Sequence, residues 1–196
     1  DFQNMRLAQK FMSNLSQRKG LQASARNKIK AVDALAHSLK FSTRGLVFTE
    51  TIDSATSIAQ LLNDLDVNAH SFDSDLTRDE RQEGRDQYAE GRYQVLCAPR
   101  VLDEGVDVPD ADVGVIVAAS RSRRQMIQRM GRIVRPNRDG HPSTFFVMYL
   151  KGTREDPEMG AHEGFLSEVE PHATEVSYFD LRSSGPDITA WMYSDR

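Results

Sequence analysis

The 196-residue sequence has a single cysteine, one tryptophan and no apolar run long enough to cross a bilayer. One cysteine excludes a disulfide framework. It lies inside the apolar run 93–98, which predicts that Cys97 is a buried thiol. A membrane-spanning helix needs about 20 apolar residues, so we expect no membrane insertion. The sequence also lacks the pattern G-x-x-x-x-G-K-[ST], so this chain encodes no phosphate-cradling loop of that kind.

Charge of one sign does not dominate the chain. The 25 Lys and Arg and 29 Asp and Glu give a net charge of −4. A protein that coats nucleic acid needs a broad cationic surface, so any basic site in this chain must be local. A hydrophobic fraction of 39% and this length are typical of one well-cored globular domain.

The chain begins at Asp1, without an initiator methionine or a signal-type segment. We therefore expect a piece of a longer protein, with further parts upstream. The buried thiol agrees with a reducing compartment.

Hydrophobic periodicity divides the sequence into two parts. Apolar residues at three-and-four spacing predict two helices in the first forty residues. From Arg44 onward, short apolar runs alternate with helical segments, which predicts an α/β fold with a parallel sheet. The predicted strands are GLVFT, NAHSF, YQVLCA, VGVIVAA and TFFVMYL. Thr51 is placed to cap the helix after the first strand, and Thr77 with Glu80 forms a capping box for a second helix.

The tail after Lys151 is polar and irregular, with one predicted helix through Phe165 and Val169. Its acidic residues Glu155, Asp156 and Glu158 predict a solvated turn. The five histidines lack the short spacings of a metal site, so the sequence predicts none.

An arginine-rich helix stands out in the run QMIQRMGRIVRP, which begins at Gln125. At 100° per residue its polar side chains fall within an arc of about 120° and its apolar ones on the opposite side. The polar side chains are Gln125, Gln128, Arg129, Arg132 and Arg135. Arginine presents a planar fork to phosphate oxygens, so this stripe is either an anion clamp or a solvated helix face.

A loop with Gly105 and Asp107 follows the predicted strand YQVLCA. Loops at the carboxyl ends of strands in an open α/β sheet line the ligand crevice. Gly105 allows a close backbone approach, and the Asp107 carboxylate can accept hydrogen bonds from ribose hydroxyls. Taken alone, the segment also fits an acidic turn without function.

Three segments together resemble superfamily 2 helicases. Q-R-x-G-R-x-x-R, at 128–135, resembles their sixth motif, VLDEGVDVPDADVGVIV resembles the fifth motif of XPB-like enzymes, and GLVFTET resembles the fourth. The resemblance covers about residues 26 to 150. It implies a three-layer RecA-like domain with a mainly parallel sheet, N-terminal helices and a partly helical tail. The expected divisions are 1–25, an N-terminal helical segment; 26–152, the helicase C-terminal RecA-like domain; and 153–196, a C-terminal extension.

The resemblance also implies roles at the nucleotide. Arg132 and Arg135 would be arginine fingers that reach the γ-phosphate of ATP, and Gln128 would help to sense it. Gly105 and Asp107 would face the nucleotide. ATP and Mg²⁺ would be bound mainly by an N-terminal RecA-like domain of the same protein, outside this chain.

At the nucleic acid, the resemblance assigns Thr49 and Thr51 to the sugar–phosphate backbone of a strand. Family members commonly have a threonine or serine six residues before the glycine, where this chain has Pro99. Proline has neither a hydroxyl nor an N–H, so Arg100 is the candidate for a substitute contact. DNA is expected rather than RNA, because the nearest resemblance is to duplex-DNA motors. The resemblance accordingly implies a cytoplasmic, nucleoid-associated location in a prokaryote and a nuclear one in a eukaryote.

Two other classes of function stay open from the residues. A non-catalytic RecA-like module could use the basic helix to bind nucleic acid or protein. A free-standing nucleotide-binding protein would need a glycine-rich phosphate loop, which the sequence lacks. The oligomeric state is left open.

Overall fold

The computed structural model describes residues 2–23, 25–99, 111–117, 131, 143–161 and 163–194. Two helices come first, α1 (Phe2–Ala23) and α2 (Arg26–Phe41), as the periodicity predicts. Strands and helices then alternate: β1 (Gly45–Thr49), α3 (Ile52–Asp64), β2 (Ala69–Ser71), α4 (Arg78–Ala89), β3 (Val95–Pro99), β4 (Val113–Ile116) and β5 (Thr144–Val147). The described tail contains α5 (Glu163–Val169) and α6 (Gly185–Met192), with short 3₁₀ turns at Pro157–Met159 and Glu170–His172.

The five strands form one parallel sheet in the order β2-β3-β1-β4-β5. Each predicted strand is confirmed. β1 has the predicted bounds, β2 and β5 are shorter than predicted, and β3 begins two residues later and ends one residue later, at Pro99. All five residues of β1 are buried, as expected of a central parallel strand covered on both faces. The α/β fold is thus confirmed, with helices on both sides of the sheet.

Alternation along the strands divides the core into two layers. Val47 of β1 packs with α2, α3 and α6, whereas Leu46 and Phe48 face the opposite side with Tyr88 of α4 and Phe165 of α5. Because successive side chains of a strand point to opposite faces, one short apolar strand contributes to both layers.

The helix starts follow local capping chemistry. The Thr51 hydroxyl accepts a hydrogen bond from the Ser54 N–H, 3.2 Å away, at the start of α3. Before α4, the Thr77 hydroxyl accepts from the Glu80 N–H while the Glu80 carboxylate accepts from the Thr77 N–H. Both predicted caps are confirmed. No described helix is both long enough and apolar enough to cross a membrane.

The tail forms part of both core layers. Phe165 of α5 packs against Phe145 of β5, and α6 buries Ile188 and Met192 in the layer shared with α2. The helix through Phe165 and Val169 is confirmed. Helix α6 was not predicted from the sequence. Its N-cap is Ser184, whose hydroxyl accepts a hydrogen bond from the Asp187 N–H, 3.2 Å away.

The prediction of a solvated acidic turn is wrong for two of its three carboxylates. Glu155 forms an ion pair of 2.9 Å with Lys28 of α2, whose side chain is 2% exposed. Asp156 is buried and accepts hydrogen bonds from the backbone N–H groups of Gly152 and Glu158. Glu158 alone is exposed, as expected. Burial lowers the pKa of Lys28, and the hydrogen bond and charge of Glu155 oppose that shift.

Cys97 is fully buried in β3, which confirms the predicted buried thiol. Burial also raises its pKa far above the ordinary value, because the thiolate would lose all its hydration.

Candidate nucleotide and nucleic-acid interface

The carboxyl ends of three central strands lie side by side at one edge of the sheet. Thr49, the last residue of β1, pairs with Pro99 of β3, and Phe48 pairs with Ile116 of β4 on the other side. The chain passes from β3 across β1 to β4. Ligands of open parallel sheets bind at such a point, where the strand order changes direction.

The described part of the chain is interrupted at this edge after Pro99 and again after Val117. These two points lie at the ends of the strands that flank β1. The segment after β3 carries Arg100, Gly105 and Asp107, and the segment after β4 carries Gln128, Arg132 and Arg135. All six residues lie outside the described part of the chain, so their roles stay predictions.

The two predicted strand-contacting threonines occupy different environments. Thr49 is fully buried, and its hydroxyl donates a hydrogen bond of 3.0 Å to the Thr51 carbonyl. Thr51 is exposed, and its hydroxyl lies 2.8 Å from the Ser54 hydroxyl. Thr49 therefore fixes the turn between β1 and α3, and Thr51 presents its hydroxyl to solvent beside the first turn of α3. A phosphate contact by Thr49 would need that turn to open.

A match to a known family spans most of this architecture. The model of the helicase conserved C-terminal domain matches residues 27–137, from α2 through the segment that follows β4. The chain belongs to the helicase C-terminal domain family. Its resemblance to superfamily 2 helicases is thereby confirmed.

Relatives of this helicase C-terminal domain include enzymes named for DNA and for RNA. Rad25 of Halobacterium salinarum, provisionally named a DNA 3'-5' helicase, is 34% identical over 134 residues, which are 68% of this chain and 21% of Rad25. The ATP-dependent rRNA helicase rrp3 of Sclerotinia sclerotiorum is 28% identical over 104 residues, which are 53% of this chain and 22% of rrp3. The chain thus spans about a fifth of the length of these relatives.

The fold of the helicase C-terminal domain is found in solved structures. A DEAD box protein from Methanococcus jannaschii superposes with a TM-score of 0.60 at 19% identity, covering 76% of this chain and 38% of that protein. The parallel five-stranded sheet is therefore that of a RecA-like helicase domain, as the resemblance implied.

Pro99 departs from the family pattern at the very edge where the domain would meet its ligands. It is the last residue of β3, half-buried and paired with Thr49. Proline is tolerated at a strand end because no ladder hydrogen bond requires its nitrogen there. The hydroxyl expected at this position is absent, and the residue paired with it on β1 is Thr49.

The sequence reasoning missed a second group of polar side chains at the carboxyl end of β2. The Ser71 hydroxyl donates to the Asp73 carboxylate at 3.0 Å, and the exposed Thr56 of α3 donates to Ser71 at 3.4 Å. Asp73 also accepts from the Asp75 N–H. These contacts join α3 to the loop that leads into α4. The sequence offers no clear signal for this group, because the predicted strand NAHSF extends past Ser71, whereas β2 ends at that residue.

The described residues offer little chemistry for holding a nucleotide by themselves. Within the described ranges, no three His, Cys, Asp or Glu side chains are arranged to hold a metal ion. The carboxylate nearest the start of α3 is Asp53, in its first turn. An acidic side chain there makes that helix end less favourable for a phosphate group.

Proposed function

We propose that this helicase C-terminal domain is one half of an ATP-dependent DNA helicase or translocase and completes an ATP site on an upstream RecA-like domain. The observation that carries the proposal is the sheet edge. The segments with the fifth-motif and sixth-motif residues depart from β3 and β4, the two strands that flank β1. A family match over 27–137 that includes both segments adds to it.

In this proposal the chain supplies positive charge and the upstream domain holds ATP with Mg²⁺. Arg132 and Arg135 donate hydrogen bonds to the γ-phosphate oxygens and stabilise the charge that develops there. Arginine fingers accelerate hydrolysis by about 10³ to 10⁵. Gln128 senses the γ-phosphate, and Gly105 with Asp107 lies against the nucleotide. Closing and opening of the cleft then moves the pair of domains along a strand.

Thr51 is the described residue best placed to contact that strand. Its exposed hydroxyl lies at the start of α3 and would make the contact itself, since Asp53 makes that helix end less favourable for a phosphate group. Thr49 stabilises the β1–α3 turn through the hydrogen bond that its hydroxyl donates to the Thr51 carbonyl. Arg100, directly after Pro99, supplies a cation in place of the missing hydroxyl.

DNA is the proposed substrate because the relative with the broader match is named for DNA. Rad25 matches at 34% identity over 68% of the chain, and rrp3 at 28% over 53%. These figures support DNA by analogy with relatives, whereas the described contacts carry no base information.

The test is ATP hydrolysis by the protein with its upstream RecA-like domain, in the presence of single-stranded DNA or RNA. We expect Arg132→Ala and Arg135→Ala each to lower kcat at least 100-fold. Arg182→Ala, which removes an exposed tail arginine that pairs with Asp180, serves as the control and should leave kcat unchanged. Stimulation should be greater with DNA.

Normal turnover in both arginine variants would refute the finger assignment. A wild-type protein that binds DNA but hydrolyses no ATP would favour the non-catalytic RecA-like module instead. Stronger stimulation by RNA would overturn the DNA assignment and leave the finger assignment intact.

A further inference from the structure

Residues 4–14 of helix α1 stand apart from the sheet and its two core layers. Every residue from Asn4 to Asn14 is exposed, so three consecutive turns bury no face against the described chain. Four large apolar side chains in this stretch are more than half exposed: Met5, Leu7, Phe11 and Met12. Packing of an apolar face supplies most of a helix's stability in proteins. This stretch therefore has the composition of a surface that meets another molecule.

The charge of this region is opposite to that of the rest of the chain. Residues 2–32 contain seven of the 25 Lys and Arg but none of the 29 Asp and Glu. The first carboxylate after Asp1 is Asp33. The remainder of the chain is accordingly strongly acidic. Such an asymmetry within one chain favours an anionic partner for the basic part.

Four of these cations are available to a ligand. Arg6 and Lys10 of α1 and Arg26 and Lys30 of α2 are exposed. Within the described residues, none of the four makes an ion pair or hydrogen bond. Lys28 differs, because it is buried and paired with Glu155. The surface cations are thus not neutralised by the protein itself.

The partner must offer both anionic groups and apolar faces. A single-stranded nucleic acid does so, because its phosphates are charged and its unpaired bases expose flat surfaces that stack on aromatic rings. A duplex presents phosphates but hides its base faces, so it would leave Phe11 and Met12 exposed. An acidic protein groove, on the proposed upstream domain or on another molecule, would also satisfy the charge and is an outcome of the test.

We propose that α1 and the start of α2 form a binding surface for single-stranded nucleic acid. Arg6, Lys10, Arg26 and Lys30 bind backbone phosphates, and Phe11 stacks on a base. This surface lies on the N-terminal helices, which carry none of the residues assigned to the motor site, and its binding needs no ATP. It would add an anchor on the strand outside the motor site.

The test is fluorescence anisotropy of labelled oligo(dT) and oligo(U) with the whole 196-residue chain, without ATP, over a range of salt concentrations. Neutralising two phosphate contacts in the double variant Arg6→Gln/Lys10→Gln should lower the affinity. It should also reduce the slope of log affinity against log salt by about 1.4, since each single-strand contact contributes about 0.7.

Phe11→Ala should weaken binding by about 5-fold to 100-fold through lost stacking and leave the salt slope unchanged. Arg182→Gln is the matched control, because it removes one exposed cation far along the chain and should change neither quantity. The exposed positions on α1 support no core, so all variants should unfold thermally at the wild-type temperature.

Three results would overturn the proposal. The first is a double variant that binds no more weakly than Arg182→Gln. The second is equal or tighter binding of a duplex of the same length with no loss in Phe11→Ala. The third is displacement of the oligonucleotide from α1 by polyglutamate at equal charge concentration, which would assign the surface to an acidic protein. Because ATP is absent, none of these depends on the arginine fingers.

Discussion

At the scale of single residues, His70 provides a pH-sensitive contact on the edge strand β2. Its ring stacks on Tyr93 with 4.6 Å between centroids and an angle of 4°. Gly84 of α4 lies beside it, and a Cβ there would stand 3.4 Å from the imidazole. Burial lowers the pKa of His70, and the charges of Asp73 and Glu83 only partly oppose this.

Because the folded-state pKa is below the ordinary value of about 6.5, the unfolded chain takes up this proton first as pH falls. The contribution of His70 to stability is complete above pH 6.5 and declines below it. We expect the melting temperature to fall between pH 7.5 and 5.5, and to fall less in His70→Gln. Thermal melts of both proteins at the two pH values test this. An equal fall in both would show that His70 does not titrate as described.

The residues predicted correctly from sequence are those whose environment is decided nearby. Thr51 and Thr77 cap helices through atoms three residues away, and the neighbours of Cys97 are themselves apolar. The prediction for Glu155 was wrong because its partner Lys28 lies 127 residues away in the sequence, and no local pattern indicates a buried ion pair at that separation. The burial of Thr49 likewise depends on strands that lie on both sides of β1.

At the scale of elements, α6 depends on one close approach to α2. A Cβ at Gly185 would stand 2.7 Å from the Ala34 carbonyl oxygen and 2.9 Å from the His37 Cβ. The Thr189 hydroxyl reaches the same helix, 2.8 Å from the Ser38 hydroxyl. A methyl group at 185 therefore has to push the two helices apart.

We expect Gly185→Ala to lower the free energy of unfolding by about 1 to 3 kcal/mol, the usual cost of overpacking. Ala190→Ser, on the exposed side of the same helix, should change it by less than about 0.5 kcal/mol. Urea unfolding followed by circular dichroism measures both. If the two variants unfold at the same urea concentration, α6 does not approach α2 this closely.

Helix α6 was not predicted, and the reason is physical. The strands, α2, α3 and α5 carry apolar periodicity, which a sequence displays directly, whereas α4 is marked by its capping box. Helix α6 spans only eight residues and starts with Gly185 and Pro186, two residues that ordinarily indicate a turn. Its stability comes from Ser184 as a cap and from burial of Ile188 and Met192 against α2, and that burial is a tertiary effect.

At the scale of the whole molecule, alternating strands and helices were enough to predict a parallel sheet, but not its order. Placing β1 between β3 and β4 requires the crossover from β3 to β4, which no local signal encodes. That crossover brings the candidate site to one edge. The motif resemblance indicated which segments belong there, and the described strands give their points of departure from the sheet.

We expect the tail to stabilise the domain and α1 to add little stability, although both lie outside the 27–137 family match. Ending the chain after Gly152 removes Phe165, Ile188 and Met192 from the core and leaves Lys28 buried without Glu155. Loss of one partner of a buried ion pair alone costs about 3 to 5 kcal/mol. Domains are commonly stable by only about 5 to 15 kcal/mol, so we expect this truncation to abolish cooperative unfolding.

Removing residues 1–24 instead takes away a helix whose residues from Asn4 to Asn14 are all exposed. That deletion should leave the melting temperature within about 2 °C of the intact chain, since a change below about 0.5 kcal/mol moves it little. Thermal denaturation of the two truncated chains and of the intact chain measures both effects. A cooperative transition in the chain that ends after Gly152 would mean that α2 and the sheet are stable without α5 and α6. A large loss on removing α1 would mean that the helix packs on the domain, in which case its apolar side chains would not be free to meet nucleic acid.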